Sequence, residues 1–600
     1  MRPVRVFCAA VVSLGLLASD GQAQTVASVL VVANTNSAPS IDIAEYYVKR
    51  RRIPAEQLLK ITTSTADQVT RAEYDLTIQV PISAWIGRHS AHDRILYIVL
   101  TKGIPLRIAG TGGRTGTVSS VDSELALLYR RMTGEPVAPN GSVPNPYYLG
   151  DQPVAKARRF SHASDDIYLV TRLDGFTTDD AKALVDRGLE PVTTGRVLLD
   201  QRAGLNDRPN EWLAEAAKRL RAQGLGKRVV LEESSRLVEA DKGVLGYYSW
   251  GSNDPSMTER HPGLDFAPGA LAAMFVSSDA RTFSEPPKAW KPGRWESRQS
   301  YFAASPQSLT ADLVRAGVTG VAGYVAEPYL DSSVRPEILF PSYVAGFNLA
   351  EAFYLALPAL SWQSIIVGDP LCGPFTKTTV PAADLDPPLD KETELPALFS
   401  ARRLAASTLK TDPAVVKLVV RAESRIARQD NEGARQSLEQ AVAQDDSVSA
   451  AWRALGLLYD TANEYDKALA AYRKVVALEP KDALSLNNLA YAMAIREGNP
   501  KDALPIAERA LLLAPRNAAV ADTVGWIKHL LGDNSGAVKL LQPAAKVLPA
   551  NGEVQLHAAI VLAELGRFEE AAAALKAAQS ADPAIKDRPE FAEAQKKIGK

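Results

Sequence analysis

The sequence predicts two units of different fold class: a three-layer α/β domain with a mostly parallel sheet, followed by an all-α solenoid of helical repeats. Three observations support this prediction. Short apolar runs alternate with amphipathic segments across residues 24–375. Residues 376–413 then combine a proline-rich, acidic linker with one lead-in helix. In residues 414–600 an alanine and a proline each recur at intervals of about 34 residues.

The α/β domain is predicted from strands that are apolar on both faces. The first, Val29–Val32, is followed by Ser40 as a helix cap and by the amphipathic segment Ile41–Arg52. The further predicted strands are Ile95–Leu100, Ile167–Val170, Val197–Leu199, Val229–Leu231, Val244–Tyr248, Leu271–Val276, Val318–Val321 and Ser364–Val367, with helices at Asp179–Asp186, Asn210–Arg221 and Leu309–Ala316. This alternation is typical of a parallel sheet that helices cover on both sides.

The helical repeats are predicted from two residue types that keep the same period. The alanines are Ala434, Ala468, Ala503, Ala537 and Ala571, and the prolines that follow them are Pro480, Pro515, Pro549 and Pro583. Within one repeat, Trp452, Gly456 and Tyr459 mark a first helix, and Ala468 and Tyr472 mark a second. This pattern resembles the tetratricopeptide repeat, and the resemblance implies about five repeats with the first acting as a cap.

The inner groove of such an array is lined by positions of the first helices. The resemblance places six candidate binding residues there: Arg453, Asn487, Asn488, Asp522, Trp526 and His529. We expect a protein or peptide partner in this groove. The alternative is that the array only braces the first domain.

Composition and charge limit the classes of function. The chain has 600 residues, 46% of them hydrophobic, and a formal net charge of −1. A near-neutral chain offers no long-range attraction to nucleic acid, and we expect none as a partner. The glycine-rich stretch Gly110–Gly116 lacks the lysine of a phosphate-binding loop, and no spacing of histidines and carboxylates predicts a metal site. We therefore expect no cofactor.

Residues 1–23 predict a secretory signal peptide. Arg2 and Arg5 precede the apolar run Val6–Leu17, and Ala23 offers a cleavage site. The run is short for a membrane-spanning helix, although an uncleaved anchor is the alternative. We expect a periplasmic or secreted protein without stable membrane insertion after cleavage.

Candidate chemistry lies where two predicted strands end in polar residues. The segment Gly246–Asp254 leaves one strand, and Ala272–Arg281 leaves the next. The carboxyl edge of a parallel sheet is where α/β proteins place their sites. The candidate catalytic residues are Asp254, Ser278 and Asp279, and the candidate binding residues are Trp250, Ser252 and Asn253.

In chain order, these two segments together with Leu313–Tyr324 and Ile365–Pro370 resemble the gingipain-like branch of the caspase-type cysteine peptidases. At the family's catalytic histidine this chain has Trp250, and near its cysteine it has Ser278. An indole accepts no proton, and a serine without a base is a poor nucleophile. The resemblance therefore implies a peptidase fold kept for binding. The alternative is a peptidase-like hydrolase with an altered site, for which His261 is a distant candidate base.

A second resemblance extends over almost the whole first domain. Ser40–Pro54, Leu100–Pro105, Gly246–Asn253 and Val367–Pro374 are similar to a family of uncharacterised secreted bacterial proteins associated with exosortase. This resemblance implies a setting in envelope or exopolysaccharide assembly and no particular reaction. The sequence thus predicts an exported binding or scaffold protein whose repeats recruit a protein partner.

Overall fold

The computed structural model describes residues 25–138, 140–205, 207–234, 242–260, 263–376 and 386–599. The chain divides into two compact units after Ala406. The predicted signal peptide and His261 lie outside the described residues.

The first unit is built on a ten-stranded sheet. Its strands are β1 (Val29–Asn34), β2 (Leu58–Ile61), β3 (Tyr97–Thr101), β4 (Leu169–Leu173), β5 (Arg196–Asp200), β6 (Val229–Glu232), β7 (Lys242–Ser249), β8 (Asp265–Met274), β9 (Gly320–Tyr324) and β10 (Ser364–Gly368). Their order across the sheet is β6-β5-β7-β8-β9-β10-β4-β3-β1-β2. Strand β10 runs antiparallel to β9, whereas the pairs within β1–β4 and within β5–β9 are parallel. The mostly parallel sheet is therefore confirmed, and β2 is a strand that the sequence pattern did not predict.

Short strands add two small sheets to the first unit. Gln68–Val69, Arg107–Ile108 and Ser119–Ser120 form a three-stranded sheet, and Val143–Pro144 pairs with Ala359–Leu360. The helices are α1 (Ala38–Arg51), α2 (Arg71–Tyr74), α3 (Val80–Arg88), α4 (Val121–Ala126), α5 (Leu128–Thr133), α6 (Thr178–Leu189), α7 (Arg208–Leu220), α8 (Thr310–Ala316), α9 (Pro336–Val344), α10 (Leu349–Ala356) and α11 (Ala397–Ala405).

Helices cover the sheet on both faces, as two glycines of β9 demonstrate. A Cβ on Gly320 would meet the side chain of Leu349 in α10, whereas a Cβ on Gly323 would meet Thr310 in α8. Positions three apart in a strand point to opposite faces. The two faces of β9 therefore carry different helices, which confirms three layers at the centre of the sheet.

The start of α1 differs from the prediction. Its N-cap is Ser37, whose side chain accepts a hydrogen bond from Ser40 N. Ser40 lies inside the helix, where its hydroxyl bonds to Thr101 Oγ1 at 2.6 Å and accepts a hydrogen bond from Asn34 N. Ser40 thus joins α1 to the ends of β1 and β3 instead of capping the helix.

Buried charges join the ends of the strands. Arg172 of β4 is wholly buried and forms ion pairs with Asp122 at 2.6 Å and Asp174 at 3.4 Å. Lys102, which follows β3, donates to Asp174 at 3.3 Å and to the carbonyls of Gly175 and Phe283. Because Phe283 lies beyond β8, this ammonium ties the ends of β3 and β4 to the segment that follows β8.

Helix α11 belongs to the first unit. The backbone amides of Leu398 and Phe399 donate to Asp93 at 2.9 and 3.2 Å, and the Phe399 ring stacks on His92. The carboxylate of Asp93 lies at the helix N-terminus, where the helix dipole favours a negative charge. The sequence assigned this helix to the linker 376–413, but its apolar side chain and its unpaired amides find partners on the α/β unit instead.

The second unit consists of five helix pairs and a final helix. The pairs are α12 (Pro413–Ala427) with α13 (Asn431–Gln444), α14 (Ser449–Thr461) with α15 (Tyr465–Leu478), α16 (Ala483–Ile495) with α17 (Pro500–Leu513), α18 (Ala518–Leu530) with α19 (Asn534–Val547), and α20 (Gly552–Glu564) with α21 (Phe568–Ala581); α22 is Pro589–Ile598. All five periodic alanines are buried in second helices. A Cβ on Gly456 of α14 would lie 2.5 Å from the ring of Tyr472 in α15, so the small residue permits the close approach of this pair.

Within the described residues, no helix combines the length and the apolar character that crossing a bilayer requires.

Candidate functional site

The carboxyl ends of β7 and β8 bring the predicted site residues of the first unit together. Trp250 follows β7, and its indole N–H donates to Asn210 Oδ1 at 2.8 Å. Its ring packs against Phe275, which follows β8, with 5.6 Å between the centroids. The indole is half-buried and serves as a hydrogen-bond donor and an apolar surface. It therefore packs against the end of β8 and is fixed by its hydrogen bond to Asn210.

Ser278 lies in a polar network with residues that the sequence analysis missed. Its hydroxyl is 2.8 Å from Gln307 Oε1 and 3.0 Å from Ser305 Oγ. The Gln307 amide also donates to Asn253 Oδ1 at 3.2 Å, and Ser308 N donates to Ser252 Oγ at 3.0 Å. The segment 305–308 thus joins the two strand ends. Neither an amide oxygen nor a second serine takes up a proton at neutral pH, so these partners do not activate the Ser278 hydroxyl.

The two candidate carboxylates have separate roles in this region. Asp279 is wholly buried and accepts a hydrogen bond from Tyr324 N at 2.8 Å. Burial raises the pKa of its carboxyl to about 7, although the hydrogen bond from Tyr324 opposes this shift. Asp254 is partly exposed and accepts a hydrogen bond from Ser256 N at 2.8 Å within its own turn. Neither carboxylate is among the hydrogen-bond partners of Ser278.

Arg281 stabilises this region through hydrogen bonds to backbone carbonyls. Its guanidinium is buried and donates to the carbonyls of Ser278, Phe302, Ser305 and Gln307. Burial lowers the pKa of this guanidinium to about 10. The side chain therefore holds the segment 302–307 against the end of β8, a role that its sequence position alone does not indicate.

Cys372 is a packing residue. Its thiol is wholly buried, 3.4 Å from the hydroxyl of Tyr343, and burial raises the pKa of the thiol to about 12. Since the thiolate is the reactive form, burial disfavours this cysteine as a nucleophile at neutral pH.

The inner surface of the repeats is formed by the first helices. Helix α16 contacts α18, and α18 contacts α20. The hydroxyl of Tyr491 in α16 donates to Glu553 in α20 at 2.9 Å, across two repeats. Side chains of first helices that meet over this separation define the concave side of the array.

Trp526 is the aromatic side chain that two cavities of this inner surface share. Its ring stacks on His557 of α20 at 4.1 Å and on His529 of α18 at 4.7 Å. His557 is in turn held by Asp522, with 3.0 Å between the imidazole and the carboxylate. These contacts keep the indole in one orientation.

Two adjoining cavities open beside Trp526. The larger has a volume of about 450 Å³ and the smaller about 250 Å³, and they share Trp526, Leu530, Ile560 and Glu590. Ile495 and Leu556 complete the apolar lining of the larger cavity. Helix α22 contributes Glu590 to both cavities and Glu593, Ala594 and Lys597 to the smaller one. The site therefore has a mixed lining, in which apolar side chains lie beside polar and charged ones.

The structure places five of the six predicted groove residues in cavity linings and the sixth, Arg453, in ion pairs. Asn487, Asn488 and Asp522 line a third cavity of about 220 Å³ on the same surface, and Trp526 and His529 line the adjoining ones. Arg453 instead forms ion pairs with Glu479 at 2.6 Å and Asp482 at 3.1 Å, which hold the end of its own repeat. The sequence analysis missed several contributors, beginning with Tyr491, Glu553, His557 and α22. The repeat period of about 34 residues places the first three on first helices and was a usable signal.

Charges at the rim of the large cavity are mostly paired. Burial would raise the pKa of the Glu553 carboxyl, but His557, the hydrogen bond from Tyr491 and Arg588 together bring it below its usual value. Burial and the neighbouring Glu553 raise the pKa of the Tyr491 hydroxyl. Glu553 is therefore ionised, and Tyr491 is a neutral donor at physiological pH.

Comparison with known proteins agrees with this architecture. Two family models, each described as Tetratricopeptide repeat, match residues 419–483 and 529–598. The C-terminal region carries tetratricopeptide repeats. A TPR repeat-containing protein of Pseudomonas aeruginosa is 28% identical over 159 residues, which are 26% of this chain and 27% of that protein. The chain thus spans about a quarter of the length of this relative.

Solved structures of repeat proteins are similar to about a third of the chain. YrrB, described as a TPR protein with an unusual peptide-binding site, is 19% identical and aligns over 30% of this chain and 92% of its own, with a TM-score of 0.26. A thermophilic TPR protein of Thermus thermophilus is 21% identical over 30% of this chain and 98% of its own, with a TM-score of 0.26. The type IV pilus biogenesis factor PilW is 19% identical over 32% and 88%, with a TM-score of 0.28.

Proposed function

We propose that this protein is an exported binding protein whose tetratricopeptide repeats hold an extended peptide segment of a protein partner. The observation that carries the proposal is the pair of adjoining cavities beside Trp526 on the inner surface of the repeats. Together they have the size of the clefts in which proteins bury ligand side chains. A fixed aromatic side chain at the centre of such a cleft is a typical anchor for a partner.

A free hydrogen-bonding group on the same surface supports a peptide as the ligand. The amide oxygen of Asn487 is buried and has no hydrogen-bond partner among the residues that the structure describes. A buried acceptor without a partner costs free energy, which a ligand N–H would recover once the partly exposed Asn487 side chain rotates towards it. An extended peptide presents a backbone N–H at every second residue along one edge, which matches this acceptor.

For the first unit we propose a binding role without catalysis in envelope or exopolysaccharide assembly. The hydrogen bonds of Ser278 to Gln307 and Ser305 favour this role, since those partners leave the hydroxyl without a base. The assembly setting and export rest on the resemblance to exosortase-associated proteins and on the predicted signal peptide. The caspase-type and gingipain-like identity of this unit rests on the sequence blocks around Trp250 and Ser278.

The test compares two neighbouring leucines. Leu530 lines both cavities and is 41% exposed, whereas Leu531 is 43% exposed and is absent from the cavity linings. Peptides selected from a random heptapeptide library on the full chain are labelled with fluorescein and titrated by fluorescence anisotropy. We expect Leu530→Ser to weaken binding about tenfold, because the ligand loses part of an apolar contact, and Leu531→Ser to leave it unchanged. Equal binding by both variants, with circular dichroism confirming their folding, would contradict the proposal.

A further inference from the structure

Two carboxylates stand beside the Trp526 cavities without a counter-charge. Glu590 lines both cavities, and Glu593, one turn further along α22, lines the smaller one. Both are exposed, and the described residues provide no ion-pair partner for either. The like charges are three residues apart on one face of the helix, where they repel each other. The helix dipole favours Glu590 in the first turn of α22, but neither carboxylate is neutralised by an ion pair among the described residues.

The cations that line the same cavities are already engaged. Arg588 forms an ion pair with Glu553 at 3.3 Å, and Lys597 forms one with Glu564. Arg496 lies 3.6 Å from Asp460 and over the ring of Tyr465. With these positive charges compensated, the two glutamates leave an excess of negative charge beside the apolar side chains of the two cavities.

We propose that the Trp526 pocket selects peptide segments in which an apolar side chain and a lysine or arginine are two residues apart. This inference rests on the proposed peptide-binding function. In an extended peptide, residues two apart point to the same side and are separated by about 6.6 Å. The apolar side chain enters the larger cavity against Leu530 and Ile560, and the cationic side chain lies between Glu590 and Glu593 at the smaller cavity. Complementary charge at a rim fixes the register of a ligand and excludes acidic competitors.

The probes are three fluorescein-labelled heptapeptides of glycine and serine. Each carries leucine at the third position, and the fifth position is lysine, glutamine or glutamate. The affinity of each peptide for the full chain is measured by fluorescence anisotropy at low and at high ionic strength. We expect the lysine peptide to bind roughly fivefold more tightly than the glutamine peptide at low ionic strength, because two exposed ion pairs form. The advantage decreases at high ionic strength since the carboxylates are exposed.

A matched pair of variants locates the effect. Glu590→Gln with Glu593→Gln removes the two rim charges and is expected to abolish the advantage of the lysine peptide. Asp466→Asn with Glu569→Gln changes the net charge equally at exposed positions away from the cavities and is expected to preserve it. Equal binding of the lysine and glutamate peptides, or an advantage that survives in E590Q/E593Q, would overturn the inference.

The outcomes separate this inference from the proposed function. Peptides that bind equally but lose affinity in Leu530→Ser leave the peptide-binding function in place and contradict only the charge preference. No binding of any heptapeptide, including those selected from the library, contradicts both. Self-association that Leu530→Ser abolishes would identify a second copy of the chain as the occupant and would also overturn the inference.

Discussion

Asp279 provides the sharpest test of the first unit, because it is a candidate catalytic residue that the structure buries completely. Burial raises its pKa to about 7 from the usual 3.8. A carboxyl with a raised pKa in the folded protein contributes stability while it is protonated. This contribution is complete below pH 3.8 and is lost as the pH rises through about 7. At pH 8 the ionised carboxyl therefore costs folding free energy.

The magnitude follows from the difference in pKa. A shift from 3.8 to about 7 corresponds to about 4 kcal/mol at pH 8, at about 1.4 kcal/mol for each pKa unit. In Asp279→Asn the amide oxygen keeps the hydrogen bond from Tyr324 N, and Arg281 keeps its carbonyl partners. We therefore expect the variant to be more stable than the wild type by about 2–4 kcal/mol at pH 8, and by less than about 1 kcal/mol near pH 4.

Urea unfolding followed by tryptophan fluorescence measures this difference, since six of the eight tryptophans lie in the first unit. Asp254→Asn is the control, because Asp254 is partly exposed and its partner lies within the same turn. We expect the control to change stability by less than about 0.5 kcal/mol at both pH values. An Asp279→Asn protein that is less stable than the wild type at pH 8 would refute the reasoning. It would mean that the ionised carboxylate is required in the folded state.

Two further predictions concern the same unit. Arg172→Met leaves Asp122 buried without its cation, and we expect it to lower the free energy of unfolding by about 3–5 kcal/mol in urea. The double variant Arg172→Met with Asp122→Asn should lose less stability. Equal losses in the two variants would show that the charge of Asp122 is not the cause. Ser278→Ala is expected to leave the background hydrolysis of a peptide library unchanged, because the partners of this hydroxyl are Ser305 and Gln307; turnover by the wild type that vanishes in this variant would favour the hydrolase alternative.

Local periodicity accounts for the features that were predicted well. A strand that is apolar on both faces signals burial between two layers, and the alanines at intervals of about 34 residues signal helices that pack closely. These signals require only residues close together in the chain. They predicted the α/β unit, its mostly parallel sheet and the five helix pairs. The same period predicts Trp526, Asn487 and Asn488 as groove residues, and these three side chains line cavities in the structure.

Two features differ from their sequence-based assignment because of partners elsewhere in the chain. In the sequence, helix α11 resembles a lead-in helix to the repeats. In the structure, the first backbone amides of α11 donate to Asp93, which lies more than 300 residues earlier in the chain. Arg453 has the position of a groove residue, but Glu479 and Asp482 take up its charge. The position of a residue in a repeat specifies the surface on which its side chain lies. The neighbouring side chains in space determine whether its charge or hydrogen-bonding groups are available to a ligand.

In the candidate sites, too, some features can be predicted from the sequence and others depend on tertiary packing. The residue types at the ends of β7 and β8 could be read directly from the chain, as could the absence of a histidine at position 250. Gln307 takes up the hydrogen-bonding capacity of Ser278, and α22 brings Glu590 to the pocket of Trp526. Both arrangements result from packing between segments that are at least 29 residues apart in the chain. Local backbone preferences act over a few residues, whereas burial and charge pairing depend on the whole folded unit. The sequence alone therefore specifies the framework of this protein, and tertiary packing decides which of its side chains are free to bind.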